Sequence, residues 1–303
     1  MKVSILIHNL DRASVLEPCL RSVLQQTHRP LEVIILDAGS TDGSSRIIAD
    51  TSEQLRDVGI KVLVRDCHLM GVASSRNFAA RLATGRLLCA IDNDATFADP
   101  DCVARTVTQF QSNPNLGLVS FRVLKANTPE IDRSAWVFRR SSNEWFDRAF
   151  STFTFAGTGF CVRARAYWQV GGFWDHLQYS REEEDLGLAL IDQGWELAYS
   201  PDTTIRHYSD SRGRFTIADR RYIELRNGIL VLWRRLPLPL SLLAIAGRVC
   251  TMSAKSVMRR EQQLGRLLSA VPEAMRDWQA HRLSRLPITF RGVWRYTVLH
   301  FAP

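Results

Sequence analysis

Two acidic clusters, one lone aspartate and one histidine in this chain have residue types and spacings suited to chemistry. Asp92-Asn93-Asp94 directly follows the apolar run Leu87–Ile91. Two carboxylates two residues apart at a strand end can converge on one hard cation, Mg2+ or Mn2+, which keeps coordination positions for water and substrate phosphates. Asp37 closes the apolar run 31–36 and opens a Gly-Ser turn. A carboxylate there either accepts the ring N–H of a pyrimidine base or bonds its own turn. Glu182-Glu183-Glu184-Asp185 precedes Leu186, Leu188, Leu190 and Ile191. Acids complement the first turn of a helix, which accounts for one or two of the four. Asp185 falls on the helix at the edge of its apolar stretch, and crowded carboxylates raise one another's proton affinity, as suits a general base. His207 follows Thr204-Ile205-Arg206 and is a lone imidazole, open to a structural or a ligating role.

These residues need a scaffold that gathers strand ends. Residues 3–7, 31–36, 60–64 and 87–91 read as strands. Helical spacing marks the segment of Val15, Leu16, Cys19, Leu20, Val23 and Leu24, the segment of Ile47 and Ile48 after Asp42 or Ser44 as cap, and residues 72–83. Near-continuous apolar strands alternating with helices predict a parallel sheet covered on both faces, and ligands bind such sheets at the carboxyl ends of the strands. His8, Asn9, Asp11 and Arg12 follow the first strand, Asp37 the second, and Asp92 and Asp94 the fourth. After residue 115 the alternation becomes irregular. A strand is expected over 116–124, no firm period over 125–155, an apolar run with Gly157-Thr158-Gly159 over 155–162, and a helix over 182–193. From 216 onward the chain reads as all-helical and rich in arginine.

The 303 residues carry a formal charge of +8 and 46% hydrophobic residues, which excludes a disordered chain and a disulfide-stapled miniprotein. The charge is split: residues 1–205 hold 21 Lys and Arg against 25 Asp and Glu, whereas residues 206–303 hold 18 against 6. The basic third points to a phosphate-rich partner, with an anionic membrane surface favoured over nucleic acid because no nucleic-acid fold signature is present. Residues 228–247 mix apolar side chains with prolines and Arg234-Arg235; they are too short to span a bilayer, which needs roughly 18 apolar residues, but suit its interface. Arg248, Arg259, Arg260 and Arg266 would add attraction to lipid; the competing reading is a helical subdomain packed on the body. The six cysteines form no C-x-x-C pair and read as free, largely buried thiols. A strand from residue 3 leaves no room for a leader, so a cytoplasmic chain, peripheral on the inner membrane face, is expected.

The ordered set of motifs resembles the family 2 glycosyltransferases of the GT-A type over roughly residues 3–208. The resemblance is carried by His8-Asn9-Leu10-Asp11-Arg12, Asp37-Ala38-Gly39-Ser40-Thr41-Asp42-Gly43, Gly71 to Arg76-Asn77, Asp92-Asn93-Asp94, Gly157-Thr158-Gly159-Phe160, Glu184-Asp185-Leu186 and His207. It fades to Arg226-Asn227 afterwards. It implies an α/β fold: a GT-A type Rossmann-like mixed sheet flanked by helices over 1–210, with a nucleotide-binding half (1–115) and an acceptor half (116–210), then a basic helical region over 211–303. It further implies an inverting hexosyl or deoxyhexosyl transfer from a nucleotide sugar, UDP or dTDP, to a glycan, lipid-linked or small-molecule hydroxyl. By the resemblance, Asp37, Arg76, Asp92, Arg12 and His8 bind the nucleotide. Asp94, Asp92 and His207 hold Mn2+ or Mg2+. Asp185 is the base with Glu184 orienting it or contacting the acceptor, and Gly157, Thr158 and Gly159 adjoin the donor. Apart from the resemblance, Trp174 and Tyr179 precede the Glu-Asp pair and either stack on a sugar ring or belong to the core. Two positions depart from the family pattern: Asn9-Leu10-Asp11 replaces Thr-Tyr-Asn, and Ala38 replaces a second Asp. A nucleotidyltransferase is the alternative enzyme, disfavoured because residues 8–12 contain no glycine for a phosphate loop. A non-catalytic adaptor is the alternative outside enzymes.

Overall fold

The computed structural model describes residues 1–67, 71–208, 216–258, 264–280 and 285–301. Its first half alternates as the apolar runs require: β1 (Val3–Asn9), α1 (Ala13–Leu24), β2 (Leu31–Asp37), α2 (Ser44–Asp57), β3 (Lys61–Asp66), α3 (Val72–Leu82) and β4 (Leu87–Ile91). The first three strands run past their apolar stretches. The parallel ladder continues until Asn9 stands opposite Asp37 and Asp37 opposite Asp66, so the polar residues form the last rungs of the sheet. Period-two alternation covers both faces: Val3, Ile5 and Ile7 join one apolar cluster, and Leu6 joins the other. Asp42, considered as the cap of α2, bonds Ser44 N and also accepts Ala13 N, so it fixes the starts of two helices.

The second half comprises β5 (Ala95–Phe97), α4 (Cys102–Ser112), β6 (Leu116–Lys125), α5 (Ser142–Trp145), β7 (Phe150–Thr152), β8 (Gly159–Arg163), α6 (Ala164–Gln169), α7 (Glu182–Asp192) and β9 (Glu196–His207). The sheet order is β3-β2-β1-β4-β8-β6-β9-β5, with β7 on β9. Strands β3 to β4 are parallel and β8 is antiparallel to both neighbours; the sheet is mixed, as the GT-A resemblance implied. The reversal matters for chemistry. It sets Gly159 opposite Ile91, so Thr158 O receives Asp92 N at 3.0 Å. Antiparallel pairing of β5 with β9 sets Ala95 opposite His207 and brings Asp94 to that imidazole.

The C-terminal helices are α8 (Ile217–Arg235), α9 (Leu240–Met258), α10 (Leu264–Leu268), α11 (Ala270–Ala280) and α12 (Phe290–Phe301). The boundary expected at residue 210, and Arg259 and Arg260, lie outside the described residues. Packing does not separate the two regions: Tyr222, Leu225 and Ile229 of α8 share one core cluster with Leu88, Phe160 and Leu186. Each such side chain contributes roughly 1.5–3 kcal/mol on burial. The segment 228–247 is not one apolar run. Pro237 and Pro239 separate α8 from α9. Helix α9 is by length and composition able to cross a membrane, contrary to the expectation that no run reaches that length; 11% of its apolar window is buried. The expectation missed it because Arg248 and Lys255 interrupt the run without lowering its mean below that of a spanning helix. The cysteines are free and four are buried; Cys250 on α9 is exposed.

Candidate active site

A cleft of about 620 Å³ opens at the carboxyl ends of β1 and β4, lined by His8, Asp11, Arg12, Arg76, Asp92 and Asp94. His8 is held below its ordinary pKa by burial and by the Arg76 charge, so the ring is neutral, and its buried Nε2 has no hydrogen-bond partner among the described residues. Asp37 stands at the end of β2 but does not line the cleft. Its carboxylate accepts from Asn9 Nδ2 (3.2 Å), Ser40 Oγ (2.5 Å) and Ser45 Oγ (3.5 Å). Asn93 Nδ2 donates to Asn9 Oδ1 at 2.8 Å, which ties the ends of β1, β2 and β4 together. Asp11 adopts φ +48°, a left-handed conformation unusual outside glycine. Its Oδ1 accepts Thr41 N and its own N donates to Ser40 Oγ, so the Asp37 turn holds the loop that forms the cleft wall.

Asp94 and His207 form the clearest cation-binding pair. Asp94 Oδ1 lies 3.5 Å from His207 Nε2, and His207 Nδ1 donates to Asp132 Oδ2 at 2.6 Å. Burial lowers the His207 pKa, but Asp132 and Asp94 outweigh it and raise it to about 9. A cation at Nε2 would displace the proton that this raised pKa keeps there, and the carboxylate on Nδ1 would then hold the tautomer whose Nε2 lone pair faces the ion, the arrangement of metal-binding imidazoles. Asp92, its side chain 42% exposed, is raised to about 6 by withdrawal from water, opposed by Arg76 and reinforced by Asp94. A divalent cation fits this donor set because it would relieve the repulsion between the two carboxylates. Among the described residues no three His, Cys, Asp or Glu side chains form a ready cage, so the remaining positions fall to phosphate oxygens and water. Asp132 was not singled out by sequence, since it lies in the aperiodic stretch 125–155. Asp132→Asn is expected to weaken Mn2+ binding about 10- to 100-fold, measured by calorimetry with UDP present; unchanged affinity would remove Asp132 from the site.

The four acids of α7 divide in a way that corrects the sequence reading. Asp185 is fully buried, and both its oxygens are held at 2.7 Å by Arg235, with Arg234 Nε at 3.5 Å. It cannot touch an acceptor. Glu184 is 5% exposed and bound by Arg248 (2.7 Å) and Arg181 (3.1 Å); burial opposes its ionisation, but the two arginines lower its pKa to about 2. Glu182 is buried, and desolvation with the neighbouring Glu183 pushes its pKa well up against the opposing Arg76 charge. Glu183 faces open space, its side chain 19% exposed. Its Oε1 lies 3.5 Å from Arg76 Nη1 and against Gly157, where a Cβ would stand 2.1 Å away. Gly157 is therefore a seat for a carboxylate.

Arg76 joins the two halves of the site. Nη2 donates to Gly157 O at 2.7 Å and reaches Asp92 Oδ1 at 3.4 Å; Nη1 lies 3.5 Å from both Glu182 and Glu183. Phe160 and Phe173 flank the guanidinium at 5.5 Å. The loop before α7 takes positive φ at Ser180 (67°) and Arg181 (74°). Asn227 Nδ2 holds it by donating to Tyr179 O and Ser180 O, which gives the faint Arg226-Asn227 similarity a physical role. Trp174, expected beside a sugar, lines neither this cleft nor the cavity that Glu183 adjoins. It stacks on His176 and carries Arg234 over its ring at 4.4 Å, partly buried against the core.

The family model described as glycosyl transferase family 2 matches residues 4–171. An uncharacterised glycosyltransferase of Nostoc is 34% identical over 45% of this chain and 41% of its own. A glucosyl-dolichyl phosphate glucuronosyltransferase of Haloferax volcanii is 29% identical over 60% of this chain and 50% of its own. The chain thus spans about half the length of these curated relatives. A mannosyltransferase of Pyrobaculum calidifontis, solved with GDP-Man and Mn2+, superposes with a TM-score of 0.60 at 19% identity, covering 92% of this chain and 75% of that one. Staphylococcus aureus TarS 1–349 with UDP-GlcNAc gives 0.65 at 14% identity, covering 90% and 80%. With the sheet order, the cleft and the family match in agreement, the chain belongs to glycosyl transferase family 2.

Proposed function

We infer that the protein transfers a sugar from a nucleoside-diphosphate sugar to an acceptor hydroxyl with inversion, by single displacement. The observation that carries this reading is that Arg76 reaches both Glu183 and Asp92, the carboxylate two residues from the Asp94–His207 pair. The diphosphate would lie in the cleft of His8, Arg12 and Arg76, whose donors and charge suit phosphate oxygens. Mn2+ or Mg2+ bound at Asp94 and His207 supplies charge neutralisation to the departing diphosphate. Glu183 takes the acceptor hydroxyl proton as that oxygen bonds the anomeric carbon; the carbon–phosphate-oxygen bond breaks and its electron pair leaves with the diphosphate. UDP and dTDP are the proposed carriers. Asp37 is supported as base reader by its chemistry, provided a ring N–H replaces Ser40 on its carboxylate. Complexes with GDP-Man and with UDP-GlcNAc among the structural neighbours support a nucleotide-sugar donor.

The test is a screen of nucleotide sugars scored by nucleoside diphosphate release, with donor hydrolysis as readout where the acceptor is undefined. Metal-dependent release with one or two donors, abolished in Asp94→Ala, is the expected result. Pyrophosphate release, or metal-independent turnover, would sink the assignment.

A further inference from the structure

Glu183 opens onto a second cavity, of about 860 Å³, outside the nucleotide cleft. One wall is α9, which presents Leu240, Leu243, Ala244, Arg248, Met252 and Lys255 at helical i, i+3, i+4 spacing. The facing wall is α12, with Val293, Tyr296, Thr297, His300 and Phe301 in the same periodicity. From Leu240 to Lys255 the α9 wall is about 22 Å long at 1.5 Å per residue. It is an unpartnered apolar surface: Leu243 is 67% and Phe301 71% exposed.

Arg181 and Arg248 line the cavity bound to Glu184, the neighbour of Glu183, and Arg139, Lys255 and Glu224 line it as well. Glu184 accounts for one unit of this positive charge, held between Arg181 and Arg248. Arg139 spans the cavity to α12, where it bonds His300 and lies over the Phe301 ring. Four cations (Arg139, Arg181, Arg248 and Lys255) stand against three carboxylates (Glu183, Glu184 and Glu224), an excess of one. That excess favours an anionic group near the acceptor hydroxyl, and arginine suits phosphate in particular. Two buried atoms of the walls, Arg248 Nη1 and His300 Nδ1, have no hydrogen-bond partner among the described residues.

We propose that this groove binds the acceptor, and that the acceptor is an amphiphile with a phosphate or diphosphate beside its reacting sugar and a long apolar chain. The hydroxyl meets Glu183, the phosphate meets the Arg139–Arg181–Arg248 group, and the chain lies between α9 and α12. The proposal rests on Glu183 as acceptor base. It also gives the exposed apolar faces of α9 and α12 one occupant, instead of leaving them to water.

The test uses calorimetry on the full chain with three probes: farnesyl phosphate, farnesol and inorganic phosphate. Farnesyl phosphate should bind at least about tenfold tighter than either fragment. Leu243→Asp, at an exposed position and with an unchanged melting temperature, should lose about tenfold of that affinity. Affinities within about threefold for all three probes, or no effect of Leu243→Asp, would overturn the groove. Donor hydrolysis is scored on the same preparation. Hydrolysis without a preference for farnesyl phosphate overturns the groove and leaves glycosyl transfer standing; the preference without hydrolysis of any donor keeps the groove and removes the transferase reading.

Discussion

Glu183→Gln is expected to give a folded protein that keeps the parent's nucleotide and Mn2+ binding, with transfer slowed about 10²- to 10⁴-fold. The amide has nearly the shape of the carboxylate and still fits against Gly157. What it lacks is the ability to take a proton. The loss belongs in kcat, with the donor KM little changed, because the group acts in the transition state and not on the nucleotide. Glu182 cannot substitute for it, being buried and not among the residues that line the cavity. The measurement is nucleoside diphosphate release with the donor found by screening, with and without acceptor. A rate within about threefold of the parent would exclude Glu183 as base, since general base catalysis contributes far more than that.

Which of the four acids does this work was not legible in the sequence, and the reason is physical. A helix can be phased from its sequence when one face is apolar and the other polar. Helix α7 offers no such contrast: Glu182, Glu184, Asp185 and every residue from Leu186 to Ile191 are buried. Its orientation is set from outside, by Arg235 of α8 and Arg248 of α9, some fifty to sixty positions downstream. Gly228, whose Cβ would meet Arg248 Nη1 at 2.2 Å, is what allows that arginine to cross α8. By contrast, the placement of Asp92 and Asp94 at the cleft was legible because the strand that positions them is local and strongly patterned, whereas Arg76 entered through the family likeness. His207 was legible only through its family likeness, and Asp132, which orients it, left no periodic trace.

The split charge of the chain acquires a second meaning in the fold. Residues 206–303 carry 18 basic against 6 acidic side chains, and several of the arginines turn inward. Arg235 and Arg234 answer Asp185, Arg248 answers Glu184, and Arg226 pairs with Asp277. The basic third is therefore partly a counter-charge to the buried acids of α7. Charge counted along the chain could suggest an external polyanion; it could not show that some of the charge was already matched within the molecule.

That internal pairing makes the second large prediction a matter of stability. Asp185→Ala leaves the Arg235 guanidinium buried without its partner, and breaking such a pair costs about 3–5 kcal/mol, a large share of the 5–15 kcal/mol typical of a domain. Asp185→Asn removes the charge while keeping the shape, and is expected to destabilise for the same reason. Were Asp185 the catalytic base, Asp185→Asn would instead yield an inactive protein of normal stability. Urea titration separates the two: a midpoint lowered in proportion to this loss supports the structural role, and an unchanged midpoint with lost transfer restores Asp185 to the chemistry. The double variant Asp185→Leu with Arg235→Met sharpens the argument. With the Asp185 and Arg235 charges both gone, and Arg234 still held over the Trp174 ring, it should recover part of the stability lost by either single change. Recovery of this kind would place the origin of the effect in the pairing itself and not in the packing around α7.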